Sequence, residues 1–286
     1  MFCVLLLVSS LQGQMGPLQH AFYTTYNQED GLGNGVISDI IQDHTGFIWI
    51  STYNGLFRFD GSQFQAFLHD PSDSTTLSHN QIKAMAVDSM NRIWLATDGG
   101  GLNCYDPRTE QFKSWIIESG LPNSHPQPRT HSVHVDRLGQ VWVGTEEDGI
   151  CRYHEASDRF ACYELKPGEG YPYNVGHAFA NDPINSDLLW AASGSYLLSY
   201  SNRQDSILFT FNLEDLLGGP SVLLGIWLEP DGKTVWGVTY KAGLFEYNLE
   251  TQTAQIHAPG ADITTNRYTY IKDILPGDEE QLIVAT

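Results

Sequence analysis

Glu146, Glu147 and Asp148 stand together in the run TEEDG, and paired carboxylates are the residue type that acid and base work on a glycosidic bond requires. Adjacent residues on a turn need not converge on one bond, so the run reads first as a solvated turn. His125, His131 and His134 form the one histidine cluster, but positions three apart on a strand point to opposite faces, which spoils a shared metal. Asp43, Asp88, Asp136, Asp182 and Asp231 each precede an apolar run, usually with Gly or Asn close behind. Calcium binding is the sharper chemistry for such turns. They lack the dense alternation of oxygen ligands of a calcium loop, and an Asx-type turn accounts for them. The sequence holds no nucleophile elbow, phosphate-cradling glycine loop or zinc-protease helix motif, and TDGGG reads as a β-turn. No catalytic residue, cofactor or metal is expected.

The elements that would position these residues are marked by tryptophan. Trp49, Trp94, Trp142, Trp190 and Trp236 are separated by 45, 48, 48 and 46 residues, and Leu282 falls 46 further on. The same pattern surrounds each, clearest in DIIQDHTGFIWISTYNGLFRFDG, AMAVDSMNRIWLATDGGGLNCYDP and SVHVDRLGQVWVGTEEDGICRYHE. Short apolar or alternating runs punctuated by Gly, Asn and Asp read as strands joined by tight turns, with no helical period. Four strands fit each unit. A period near 46 matches a propeller blade, and blades around an axis bury both faces of each sheet. The expectation is an all-β propeller of four-stranded antiparallel blades over residues 21–286, with repeats at about 32–68, 77–116, 121–165, 173–211, 221–257 and 268–286. The five tryptophans are assigned to the core between blades.

In such a meander the connection entering the innermost strand and the turn between the second and third strands emerge on one face. Those turns read STYNG, TDGGG, TEEDG, ASGS and TYKAG, variable sequence in a constant frame, as rigid scaffolds with functional loops show. The candidate ligand residues are therefore Tyr53, Asn54, Asp98, Glu146, Glu147, Asp148, Tyr196, Tyr240 and Lys241. For each, a merely solvated turn is the competing reading.

With 34 acidic against 15 basic residues the net charge is −19, which repels phosphate backbones and anionic lipid, so nucleic acid is not an expected partner. At 41% hydrophobic and 12% aromatic residues the chain has the apolar surface to fold. MFCVLLLVSSLQGQ reads as a secretory signal ending at Gly13, although no basic residue precedes its apolar run; an N-terminal core strand or a misplaced start is the alternative. No later segment approaches the ~20 apolar residues of a membrane helix. Cys151 and Cys162 flank a hairpin and face each other across it, which leaves open a bridge or, the simpler reading, two buried thiols.

The frame of Asp, turn, Gly, apolar-Trp-apolar, small-Thr, Gly-Leu and aromatic-Asp, as in QDHTGFIWISTYNGLFRFDG, resembles the two-component regulator propeller repeat of bacterial sensors, especially those of Bacteroidetes. The resemblance covers about residues 21 to 286 and fades in the fourth and fifth units. It implies the periplasmic, oligosaccharide-sensing region of a hybrid histidine kinase that controls glycan-utilisation genes. The parent would carry further propeller, immunoglobulin-like, membrane and kinase regions, anchor in the inner membrane and pair as a homodimer. Seven blades are common in that family, which implies a ring of which this chain holds about five and a half, with AFYTTYN completing the last. The rival readings are a secreted catalytic propeller, either a sialidase-like hydrolase or a lyase, and a standalone interaction scaffold. A sialidase needs a convergent arginine cluster, and the nine arginines show no recurrent placement on the loop face.

Overall fold

The computed structural model describes residues 4–6, 24–33, 35–117, 129–146, 149–163, 176–218, 222–239, 243–257, 273–276 and 282–285. Five four-stranded antiparallel sheets follow one another, each an up-and-down meander. Blade 1 runs Ile37–Gln42, Ile48–Thr52, Gly55–Phe59 and Phe64–Phe67; blade 2 runs Ile82–Val87, Ile93–Thr97, Gly101–Asp106 and Gln111–Trp115. Blade 3 runs Thr130–Val135, Val141–Thr145, Ile150–His154 and Arg159–Tyr163; blade 4 runs Gly176–Asn181, Leu188–Ser193, Tyr196–Ser201 and Ser206–Asn212. Blade 5 runs Leu223–Leu228, Thr234–Thr239, Gly243–Asn248 and Thr253–His257, and the pair Asp273–Pro276 and Leu282–Ala285 comes after it. First strands of consecutive blades lie side by side, which sets them around the axis and the fourth strands at the rim. The molecule is an all-β propeller. A short ladder pairs Val4–Leu6 with Thr24–Tyr26.

The second strands, IWIST, IWLAT and VWVGT, are apolar on both sides because each lies inside a sheet covered on both faces. Their tryptophans fill the gap to the next blade. Trp49 packs with Leu77, Ile82 and Tyr105 of blade 2 and its approach, and Trp94 packs with Val133, Val141 and Cys151 of blade 3. Trp142 packs with Leu189 and Tyr200 of blade 4, and Trp190 with Leu223 and Phe245 of blade 5. Trp236 departs from the expected full burial. It is half-buried.

Each buried indole has a polar N–H that needs an acceptor, and the turn aspartate supplies it. Trp49, Trp94, Trp142 and Trp190 donate Nε1–H to Oδ2 of Asp43 (2.8 Å), Asp88 (2.9 Å), Asp136 (3.1 Å) and Asp182 (3.0 Å). The other oxygen of each accepts backbone N–H groups of its own turn, Thr45 and Phe47 for Asp43, Arg92 and Met90 for Asp88. Burial alone would raise the Asp43 carboxyl; these donors, Trp49 first, hold it below the usual 3.8. In blade 5 the grouping of Asp231 with the other aspartates fails. Trp236 donates instead to Glu229 at 2.9 Å, while Asp231 accepts from the backbone of Lys233. A longer side chain two residues earlier reaches the same indole.

The turn between the third and fourth strands is equally regular. Gly61, Glu110, Asp158, Asp205 and Gln252 occupy it with φ of 98°, 57°, 54°, 52° and 56°, the left-handed conformation that closes such hairpins. Cys151 and Cys162 are directly opposed in blade 3 and are joined by a disulfide, which corrects the simpler reading of two thiols. Cys104 is a free, buried thiol whose ionisation burial pushes up to about 12.

Trp94→Ala is expected to cost ~3–5 kcal/mol and Trp236→Ala about half as much, read from urea unfolding of the two variants. Equal losses would contradict the interface role. Reducing the bridge, or replacing both its cysteines by alanine, should lower stability by roughly 2–3 kcal/mol, the loop-closure value for a short loop; unchanged melting would show that it adds nothing.

Candidate ligand-binding face

Every blade breaks register at the same place. The first strand carries one extra residue opposite the end of the second strand: Ser38, Lys83, His131, His177 and Leu224. A bulge re-aims the chain where it inserts a residue, and here it does so beside the second-to-third turn. The residue after the second strand is tied to the residue before the first strand in three blades: Tyr53 N–H to Val36 O (3.0 Å), Asp98 N–H to Gln81 O (2.9 Å) and Glu146 N–H to Arg129 O (3.0 Å). Tyr53, Asp98 and Glu146 thus hold one structural position on three neighbouring blades.

Cations join them into a continuous track. Lys83 Nζ lies 4.7 Å from the Tyr53 ring centroid and 3.1 Å from Asp98 Oδ2. Arg129 places Nε 3.1 Å from Asp98 Oδ1 and Nη1 3.3 Å from Glu146 Oε2, and His131 Nε2 lies 3.7 Å from the same oxygen. The side chains of Asp98 and Glu146 are 20% and 21% exposed and that of Arg129 is 51% exposed, so the arginine is the more accessible member of the cluster. Burial lowers the His131 pKa below 6.5 and the Glu146 charge opposes it. His134 is elsewhere, stacked on Phe179 with ring centroids 5.9 Å apart, and burial lowers its pKa too.

Of the other expected residues, Asn54 is an exposed turn residue whose N–H donates to Thr52 Oγ1 at 2.9 Å. Tyr196 is not on the track: it opens the third strand of blade 4 and packs against the core between blades 3 and 4. Glu147, Asp148, Tyr240, Lys241 and His125 lie outside the described residues. Lys83, Arg129 and His131 were missed as site residues. Their signal was positional, since each sits at or just before the start of a first strand, across the ladder from a turn already singled out.

A different arrangement occupies the rim. Asp158 accepts from Lys113 Nζ (2.9 Å), Trp115 Nε1 (2.7 Å) and Tyr153 Oη (2.8 Å), beside a cleft of about 410 Å³ between blades 2 and 3. Those donors hold its carboxyl down to about 2. Asp205, at the equivalent turn of blade 4, accepts from Arg152, Tyr200 and Tyr163. These clasps join neighbouring blades.

The radial meanders make a propeller, and three of its blades share a polar track at the loop end. Residues 31–54 and 76–99 match the family model described as two component regulator propeller. Over 56 residues it is 38% identical to "Histidine kinase P4" of Formosa agariphila, a stretch covering 20% of this chain and 4% of that protein. The fold is similar to the extracellular domain of a hybrid two component system from B. thetaiotaomicron, with TM-score 0.69 and 23% identity, covering 91% of this chain and 34% of that one. It is also similar to virginiamycin B lyase from Staphylococcus aureus, with TM-score 0.64 and 14% identity, covering 87% of this chain and 77% of that one. The chain thus spans about a third of the solved extracellular domain. Among the described residues no helix is long and apolar enough to cross a membrane.

The sign of the His131 shift is testable. Its folded-state pKa lies below the unfolded value of 6.5, so the neutral imidazole is the form the fold prefers. The stability this contributes is present above about pH 6.5 and lost as pH falls through the folded pKa. Glu146→Gln removes the charge that pulls the pKa up, so imidazole NMR titration should show His131 moving further down; an upward move contradicts the pairing.

Proposed function

We propose that this chain is the ligand-sensing propeller of an exported two-component sensor, that it binds an oligosaccharide on its loop face, and that the parent protein is a periplasm-facing histidine kinase controlling glycan-utilisation genes, paired as a homodimer. The observation that carries the reading is the track Tyr53, Lys83, Asp98, Arg129, Glu146 and His131, which crosses three blades at one repeat position. Ordinary surface ion pairs add little stability, so a conjoined series at the variable turns is better explained by a ligand than by the fold. An aromatic ring flanked by charge-assisted donors and acceptors is what a sugar ring with its hydroxyls requires. Support for the signalling role comes from the repeat family and from the kinase and two-component proteins the chain is similar to.

One observation favours a second reading, catalysis. A neutral His131 beside Glu146 has the chemistry of a general base, and a propeller lyase has a similar fold. The two readings differ in what returns from the site: a sensor releases its ligand intact, whereas a lyase or hydrolase yields fragments that chromatography detects.

In the full-length sensor, Tyr53→Ala and Asp98→Asn should each weaken oligosaccharide-dependent autophosphorylation about tenfold or more, while the rim variant Lys113→Ala leaves it unchanged. A response indifferent to both loop-face substitutions would end this assignment.

A further inference from the structure

The charges of the track are matched in pairs, and this bears on what can bind there. Asp98 meets Lys83 at 3.1 Å and Arg129 at 3.1 Å, and Glu146 meets Arg129 at 3.3 Å. Among the described residues of the track, two carboxylates and two cations close on one another. We infer that the ligand of this face is an uncharged oligosaccharide; the inference rests on the reading above that the face binds a glycan.

Three arguments converge. An anionic ligand would have to compete with Asp98 and Glu146 for Arg129, leaving at least one partly buried carboxylate without its cation, which is the costly outcome for such pairs. It would also approach a chain of net charge −19, whose second-to-third turns carry Asp98, Glu146, Glu147 and Asp148 against Lys241. A cationic ligand meets the half-exposed Arg129 side chain beside the less exposed Asp98 and Glu146. A hydroxyl suffers neither penalty, because it donates to a carboxylate and accepts from a guanidinium at once. Arg129 carries five N–H groups on a planar fork, with Nε at Asp98 and Nη1 at Glu146. Tyr53, 43% exposed at the end of the track, offers a ring for the apolar face of a sugar.

The test is calorimetry on the complete extracellular region with neutral hexasaccharides of gluco-, manno-, galacto- and xylo-configuration, beside uronate, sulfated and amino-sugar hexasaccharides. Binding is expected from the neutral set alone, with Kd changing less than about twofold over a roughly tenfold rise in NaCl. Arg129→Ala should weaken it about ten- to a hundredfold, and Arg129→Gln, which keeps neutral donors, less. Binding confined to the charged set, or a steep salt dependence, overturns the inference and leaves glycan recognition standing. Silence from both sets removes glycan recognition itself, and this inference with it.

Discussion

A single hydrogen bond, from an indole N–H to the carboxylate of the preceding turn, constrains the whole molecule. Burying a tryptophan removes ~150–250 Å² of surface from water, worth about 4–6 kcal/mol, but an indole N–H left without an acceptor returns ~1–3 kcal/mol of that. Asp43, Asp88, Asp136 and Asp182 remove that loss with one oxygen while the other fastens the turn. Hairpin, strand position and contact with the next blade are thereby decided together. Blade 5 shows that the constraint is chemical and not positional, since Glu229 makes the bond when the aspartate of its turn does not.

This explains why the fold was legible in the sequence. A tryptophan every 45 to 48 residues, each behind a turn that carries Asp with Gly or Asn, encodes the sheet, its hairpin and its neighbour in one motif. The disulfide was harder to read, because cross-strand facing permits a bridge without requiring it. The site was legible only in part. Tyr53, Asp98 and Glu146 stand out as turn residues, but the cations that link them lie on or just before first strands, where alternation assigns each strand side chain a face. A bulge inserts one residue and breaks that alternation, so Lys83 and His131 take places that period-two counting does not predict. Tyr196 misled for the opposite reason: blade 4 has Gly194 directly after its second strand, and the tyrosine two residues later turns into the core.

The two ends of the blades use acidic residues differently. At the rim, Asp158 and Asp205 sit in left-handed turns and reach to the preceding blade, where Trp115, Lys113, Tyr163 and Arg152 donate to them. Such bonds hold adjacent sheets at a set separation. At the loop face, Asp98 and Glu146 bond cations instead of the polar edges of core aromatics, and their Arg129 stays half exposed. The rim commits its carboxylates to blade contacts; the loop face keeps hydrogen-bonding capacity open to solvent.

On the proposed reading this division limits how a signal can leave the domain. A ligand of micromolar Kd contributes ~8 kcal/mol in all, and only its differential affinity for two states shifts an equilibrium. Each interface it would have to move is held by a buried tryptophan worth about 4–6 kcal/mol, before any rim clasp is added. Binding across three blades therefore cannot spread them apart, because separating even two interfaces would consume more than the ligand supplies. On that reading the propeller acts as a rigid body, and the shift it drives is not a separation of its blades.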